Sequence, residues 1–161
     1  EGASGIPTIV KYTIASKSFR TMTGPGYIEP AWSPDGRFLA VTKTGPSGTD
    51  INIIDSRTGQ ELLRVTNDNS SFAPEWSPAG DSIAFLREVR GVIDLWVVKL
   101  VGSGPSWTVG DSFALTISAG LDGASRESWF IPASQLPTPA PTPVPTLGPT
   151  LAPSGAPASP D

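Results

Sequence analysis

Apolar residues in this chain come in short runs rather than helical stripes. Phe38-Leu39-Ala40-Val41, Ile51-Asn52-Ile53-Ile54 and Leu95-Trp96-Val97-Val98 are almost unbroken, and each begins within two residues of a Gly or Asp. Such runs predict strands, and continuous ones predict strands buried on both faces. The pattern also repeats. Pro30-Ala31-Trp32-Ser33-Pro34-Asp35-Gly36 returns forty-four residues later as Pro74-Glu75-Trp76-Ser77-Pro78-Ala79-Gly80, each time followed by a small apolar strand.

A period of this size with four short strands per unit predicts propeller blades. Each blade is sandwiched by its neighbours, which supplies the second apolar partner that the unbroken strands need. The turn chemistry agrees. Pro34 presets φ at the first corner of a type I turn, Asp35 tolerates the second, and Gly36 takes the left-handed conformation that follows. One blade is expected over 27–66, with strands Ile28 to Trp32, Arg37 to Lys43, Asp50 to Asp55 and Glu61 to Val65. The next, 72–110, has strands Phe72 to Trp76, Ser82 to Arg87, Asp94 to Leu100 and a degraded fourth near Ser106 to Val109. Residues 8–23 read as the outer half of a preceding blade, with Thr8 aligned to Ile51 and Thr23 to Thr66. Residues 111–131 read as a divergent half-blade or capping hairpin with strands Phe113 to Ile117 and Ser128 to Ile131.

These residues carry a resemblance. The W-S-P-x-G turn, then Asp50-Ile51-Asn52-Ile53-Ile54-Asp55 and Asp94-Leu95-Trp96-Val97-Val98-Lys99, then a Gly turn and a strand ending in Thr66, resemble the WD-like repeats of TolB. The propellers of tricorn and prolyl-oligopeptidase-type proteases are similar. The two matching units cover about half the chain. The resemblance implies an all-β fold of four-stranded antiparallel blades, two full and others partial. It implies a protein-binding scaffold of the periplasm, cell surface or extracellular space.

Composition narrows the function further. There is no histidine and no cysteine, so Ser-His-Asp and Cys-His catalysis, thiolate zinc sites and disulfides are excluded. Net charge is −4 and the 11 Lys and Arg are scattered, which argues against nucleic acid as a partner. No apolar run approaches the roughly 20 residues that span a bilayer. Ten of the 18 prolines follow Ile131. Residues 132–161 therefore read as an extended Pro/Thr-rich tether, and 1–7 as a disordered lead-in. The start at Glu1 and the half-blade at 8–23 lead us to expect a fragment of a longer protein, or copies that assemble to complete a ring.

Several residues invite a chemical reading that packing explains better. Trp32 and Trp76 share a register, which favours an interblade wedge over a ligand platform. Ser33 and Ser77 have no adjacent base and read as turn hydroxyls. Asp35 is Ala79 in the second copy, so it reads as a turn residue. Asp50 and Asp94 precede the third strand of each blade and are expected to bond backbone amides at the strand entry or to pair with a neighbouring blade's basic residue. No D-x-D-x-D-G loop accompanies them, so no metal is expected, and no cofactor. Glu29 and Glu75 lie near the inner strands but are out of register, so no acid/base pair is assigned.

The functional candidates are rim loops, where a rigid frame carries variable residues: Asn67, Asp68 and Asn69, then Arg87 and Arg90. Two other functions stay open. One is an accessory propeller of a secreted prolyl-oligopeptidase-like hydrolase whose catalytic domain lies outside this chain; the other is glycan or cell-wall binding. The turn assignment is testable at once. Gly36→Val and Gly80→Val each force a β-branched residue to positive φ and should cost a few kcal/mol in a denaturant melt; an unchanged midpoint would refute it.

Overall fold

The computed structural model describes residues 5–125 and Trp129. The chain divides into Glu1–Phe130 and Ile131–Asp161, and the described residues all belong to the first unit. Residues 1–4 of the expected lead-in, most of the expected 128–131 strand and the tail 132–161 lie outside them.

Among the described residues, all ten elements are strands. β3 (Tyr27–Trp32), β4 (Phe38–Gly45), β5 (Gly48–Asp55) and β6 (Glu61–Arg64) form one antiparallel sheet in that order. β7 (Ser71–Trp76), β8 (Ser82–Val89), β9 (Val92–Val101) and β10 (Thr108–Ala114) form a second. β1 (Val10–Thr13) and β2 (Ser18–Thr21) pair as a separate hairpin. These are two complete propeller blades and an outer half-blade.

Alternation along β4 sends neighbouring side chains to opposite faces. Phe38 and Ala40 join Ala31, Ile51, Ile53 and Val65 on the face that meets Trp76, Ile83, Phe85, Val98 and Leu100 of the next blade. Leu39 and Val41 join Ile54 on the other face, against Ile9 and Met22. This is why the runs are unbroken: each blade has no solvent face to encode. Beyond the last full blade, Leu121 N donates to Ile93 O at 2.9 Å, Gly123 lies against Ile93 and Phe72, and Trp129 Nε1 reaches Glu75 O at 3.4 Å.

The two W-S-P turns are built alike but with one exchange. Ser33 N and Ser77 N donate to Phe38 O and Ser82 O, and the serine hydroxyls accept from Phe38 N and Ser82 N at 3.0 Å each. Ser33 Oγ donates to Asp35 at 2.7 Å, whereas Ser77 Oγ donates to Asp81 at 2.9 Å. The carboxylate that reads as dispensable at Ala79 is thus moved two positions along. In both turns the serine hydrogen bond holds the aspartate below its ordinary pKa. Gly36 and Gly80 sit at φ 70° and 73° and donate to Ser33 O and Ser77 O.

Three expectations are corrected. The break placed between 110 and 111 falls inside β10, which continues through a register shift between Val109 and Ser112; Phe113 therefore belongs to the blade's outer strand, not to a separate hairpin. The half-blade alignment slips by one residue. Ile9 N bonds Thr23 Oγ1 just as Ile51 N bonds Thr66 Oγ1, so Ile9 rather than Thr8 matches Ile51.

Trp32 is not a buried wedge. Trp76 is 3% exposed, packed near Trp107, whose ring centroid is 4.6 Å from Phe38 and 5.5 Å from Trp76. Trp32 is 50% exposed, with Lys11 Nζ 5.3 Å from its ring. Trp76 packs back onto the preceding blade, and the half-blade before Trp32 offers only two outer strands. Trp76→Ala should cost about 3–5 kcal/mol and Trp32→Ala under about 1 kcal/mol in urea melts followed by circular dichroism; equal costs would refute the packing difference.

Candidate functional site

Antiparallel order places the β4–β5 turn, the β8–β9 turn and the β6–β7 loop at one edge of the stack, with the W-S-P turns at the other. Contacts along the loop agree: Ser70 bridges Thr49, and Ser70 O accepts from Glu88 N at 3.0 Å. Loop 65–70 is therefore wedged between two hairpin tips.

Asp50 holds the loop from below. Its Oδ1 accepts from Asp68 N at 2.9 Å, Asn69 N at 3.2 Å and Thr66 Oγ1 at 3.2 Å, and its Oδ2 takes Nη2 of Arg64, a basic residue of its own blade rather than of a neighbouring one, at 2.6 Å. Thr66 Oγ1 meanwhile accepts from Ile51 N at 2.9 Å, so one hydroxyl links strand and loop. Asp94 repeats the arrangement: it accepts from Thr116 Oγ1 at 2.8 Å, Ala119 N at 2.9 Å and Ser118 N at 3.0 Å, while Thr116 Oγ1 accepts from Leu95 N. Burial pushes the Asp50 carboxyl up, but the Arg64 guanidinium and the two backbone N–H groups outweigh it and hold it below the usual aspartate range.

Asp68 forms the second tier. It accepts from Ser70 N at 2.9 Å and from the Ser70 and Ser71 hydroxyls, and it pairs with Arg87 Nε at 3.3 Å. That last contact is an ion pair without hydrogen-bond alignment. Asn69 adopts φ 58°, which asparagine tolerates. Gly48 touches the Asn69 carbonyl so closely that any Cβ there would collide with it.

The expected rim residues thus divide in two. Asp68 and Arg87 are structural: Arg87 lies in β8, not in a loop, with its guanidinium 4.8 Å from the Trp96 ring. Asn67, Asn69 and Arg90 are exposed, Arg90 in the two-residue β8–β9 turn at φ 55°. Glu29 lies elsewhere. Its carboxylate accepts from Thr42 Oγ1 at 2.7 Å and Ala73 N at 2.9 Å, tying β3 and β4 to β7. Two hollows flank the loop, one of about 230 Å³ along Asn67, Asp68, Phe85 and Arg87, the other of about 280 Å³ along Lys43, Asn52, Glu61, Arg64 and Asn69. Arg64 and the two threonines escaped sequence reasoning. The signal for the threonines was their recurrence at the end of each outer strand.

No family model matches the chain. Over 79 residues it is 41% identical to the Tol-Pal system protein TolB of Anaeromyxobacter dehalogenans, covering 48% of this chain and 18% of that protein. Its fold overlays the crystal structure of TolB from Acinetobacter baumannii with a TM-score of 0.58 at 21% identity, over 73% of this chain and 28% of that one. Its blades share the β-propeller fold and are similar to those of TolB. The β-propeller domain of the Trilobed protease from Pyrococcus furiosus shares the fold, with a TM-score of 0.50 at 16% identity over 66% of this chain and 34% of that one. The lasso peptide isopeptidase AtxE2 of Asticcacaulis excentricus is 28% identical over 119 residues, 56% of this chain and 17% of that protein. The chain spans under a fifth of the length of these curated relatives.

Asp50 carries the clearest electrostatic prediction. A folded pKa below the unfolded one adds stability above the unfolded value, and that stability is lost as pH falls through the folded value. Asp50→Asn should lower stability by about 2 kcal/mol near neutrality and flatten the decline of melting temperature between neutral and acid pH. An unchanged pH slope would refute the assignment.

Proposed function

We propose that this chain is a non-enzymatic TolB-like propeller module that binds protein partners through the rim holding loop 65–70 and the β8–β9 turn. The observation that carries this reading is the loop itself. Its backbone is fixed by Asp50 and Asp68, while Asn67, Asn69 and Arg90 remain exposed. Fixed backbone with exposed polar side chains lowers the ordering cost of binding. The 41% identity to a Tol-Pal system protein supports this reading and an extracytoplasmic setting, as does the Pro/Thr-rich sequence after 131, which suits a tether. The lack of histidine and cysteine supports a non-enzymatic role.

A second reading has its own support. Similarity to an isopeptidase, and a fold shared with a protease's propeller domain, favour an accessory propeller whose catalytic domain lies outside this chain. In envelope extracts of the source cell, the immobilised chain should retain a protein that the folded double variant Asn67→Arg/Arg90→Glu loses. Identical retention by both would refute the rim reading. Labelling of the full-length gene product by a serine-reactive phosphonate would favour the second reading.

A further inference from the structure

Asn52 departs from its own repeat. The residue forty-four positions on is Trp96, whose ring carries the Arg87 guanidinium at 4.8 Å. Lys43 occupies the register of Arg87, but it turns to Glu61 at 2.7 Å and to the Tyr27 ring at 5.4 Å. Where the β7–β10 blade places an indole, the β3–β6 blade has the hollow of about 280 Å³, lined by Lys43, Asn52, Glu61, Arg64 and Asn69.

Asn52 forms the buried part of this hollow at 1% exposure, and among the described residues neither its carboxamide oxygen nor its nitrogen makes a complete hydrogen bond. It lies near enough to help hold Glu61 ionised, where burial is outweighed by Lys43 and Tyr27, yet that contact lacks hydrogen-bond geometry. A buried carboxamide whose oxygen and nitrogen lack well-formed hydrogen bonds is costly and uncommon in folded proteins. An apolar residue at this place would avoid that cost.

The chemistry of the complement follows. A carboxamide offers a donor and an acceptor side by side. The N–H and C=O of a single residue in an extended strand point the same way and match it. The nearby acceptors are engaged, since Asp50 takes four donors and Glu61 takes Tyr27 and Lys43. Lys43 and Arg64 are about half exposed, and their ammonium and guanidinium groups carry more donors than these bonds use. We propose that the Asn52 hollow binds an extended peptide segment, Asn52 pairing with the N–H and C=O of one residue while Lys43 and Arg64 receive an adjacent acidic side chain. The hollow's size suits about two residues. This deepens the protein-binding reading above and adds to it a site beside the exposed loop, with Asn69 common to both.

The test is titration of the isotope-labelled chain with acetyl-Ala-Asp-Ala-amide, acetyl-Ala-Lys-Ala-amide and N-acetylglucosamine, following the Asn52 side-chain amide by NMR. The Asp peptide should shift that resonance saturably and bind more tightly than the Lys peptide by about threefold or more. Asn52→Leu should abolish the binding while leaving the melting temperature unchanged or raised. Equal peptide binding by wild type and Asn52→Leu, a marked loss of stability in that variant, or a response to the sugar alone would each overturn the proposal. Because no cellular partner is used, peptide binding can fail while envelope capture survives, or the reverse.

Discussion

The constraint on which the rest depends is that every blade must cover both faces of its neighbour. Phe38 and Leu39 are adjacent in the chain and serve different seams. A strand with this duty cannot alternate apolar with polar residues, and a blade removed from the stack would leave its apolar faces in water. The seam between the two full blades therefore fixes more than stability. It sets the separation of their turns, and so the slot into which the β6–β7 loop fits.

Polar chemistry is confined to where that seam ends. On one edge Asp50 and Asp94 each gather a threonine hydroxyl and two backbone amides, so the chain leaves one blade and enters the space before the next in the same manner twice. Among the described residues, Arg64 is added at the first of these alone. On the inner strands, Glu29 and Ala73 both sit at φ 51° in matching register shifts, but only Glu29 has a side chain that can cross to the next blade. Repetition supplies the frame, and individual blades then differ in what they attach to it.

Much of the frame was legible because it obeys a period. The W-S-P turns, the paired tryptophans, and the strands around Ile51 and Leu95 follow from short-range rules of φ, burial and alternation. What stayed hidden depends on neighbours that are distant in sequence. The environment of Trp32 is set by the β1–β2 hairpin beside it, from which Lys11 reaches its ring, and no property of the residue encodes that. The course of β10 depends on a register shift within a polar, glycine-containing segment. Arg87 looked like a loop residue because charged letters surround it, yet β8 continues to Val89 and Asp68 and Trp96 hold the side chain in place. Asn52 is a polar residue where the other blade has Trp96, but its surroundings come from β4, β6 and the loops beside them.

The exchange of Asp35 for Asp81 has a consequence for how such modules diverge. The serine hydroxyl requires a carboxylate, and either side of the glycine will supply one, so the requirement belongs to a pair of positions rather than to one. A lineage can pass from one placement to the other through a sequence carrying both acids without ever losing the interaction. Comparison of single columns would score that passage as decay of the motif, although the physical device is intact throughout.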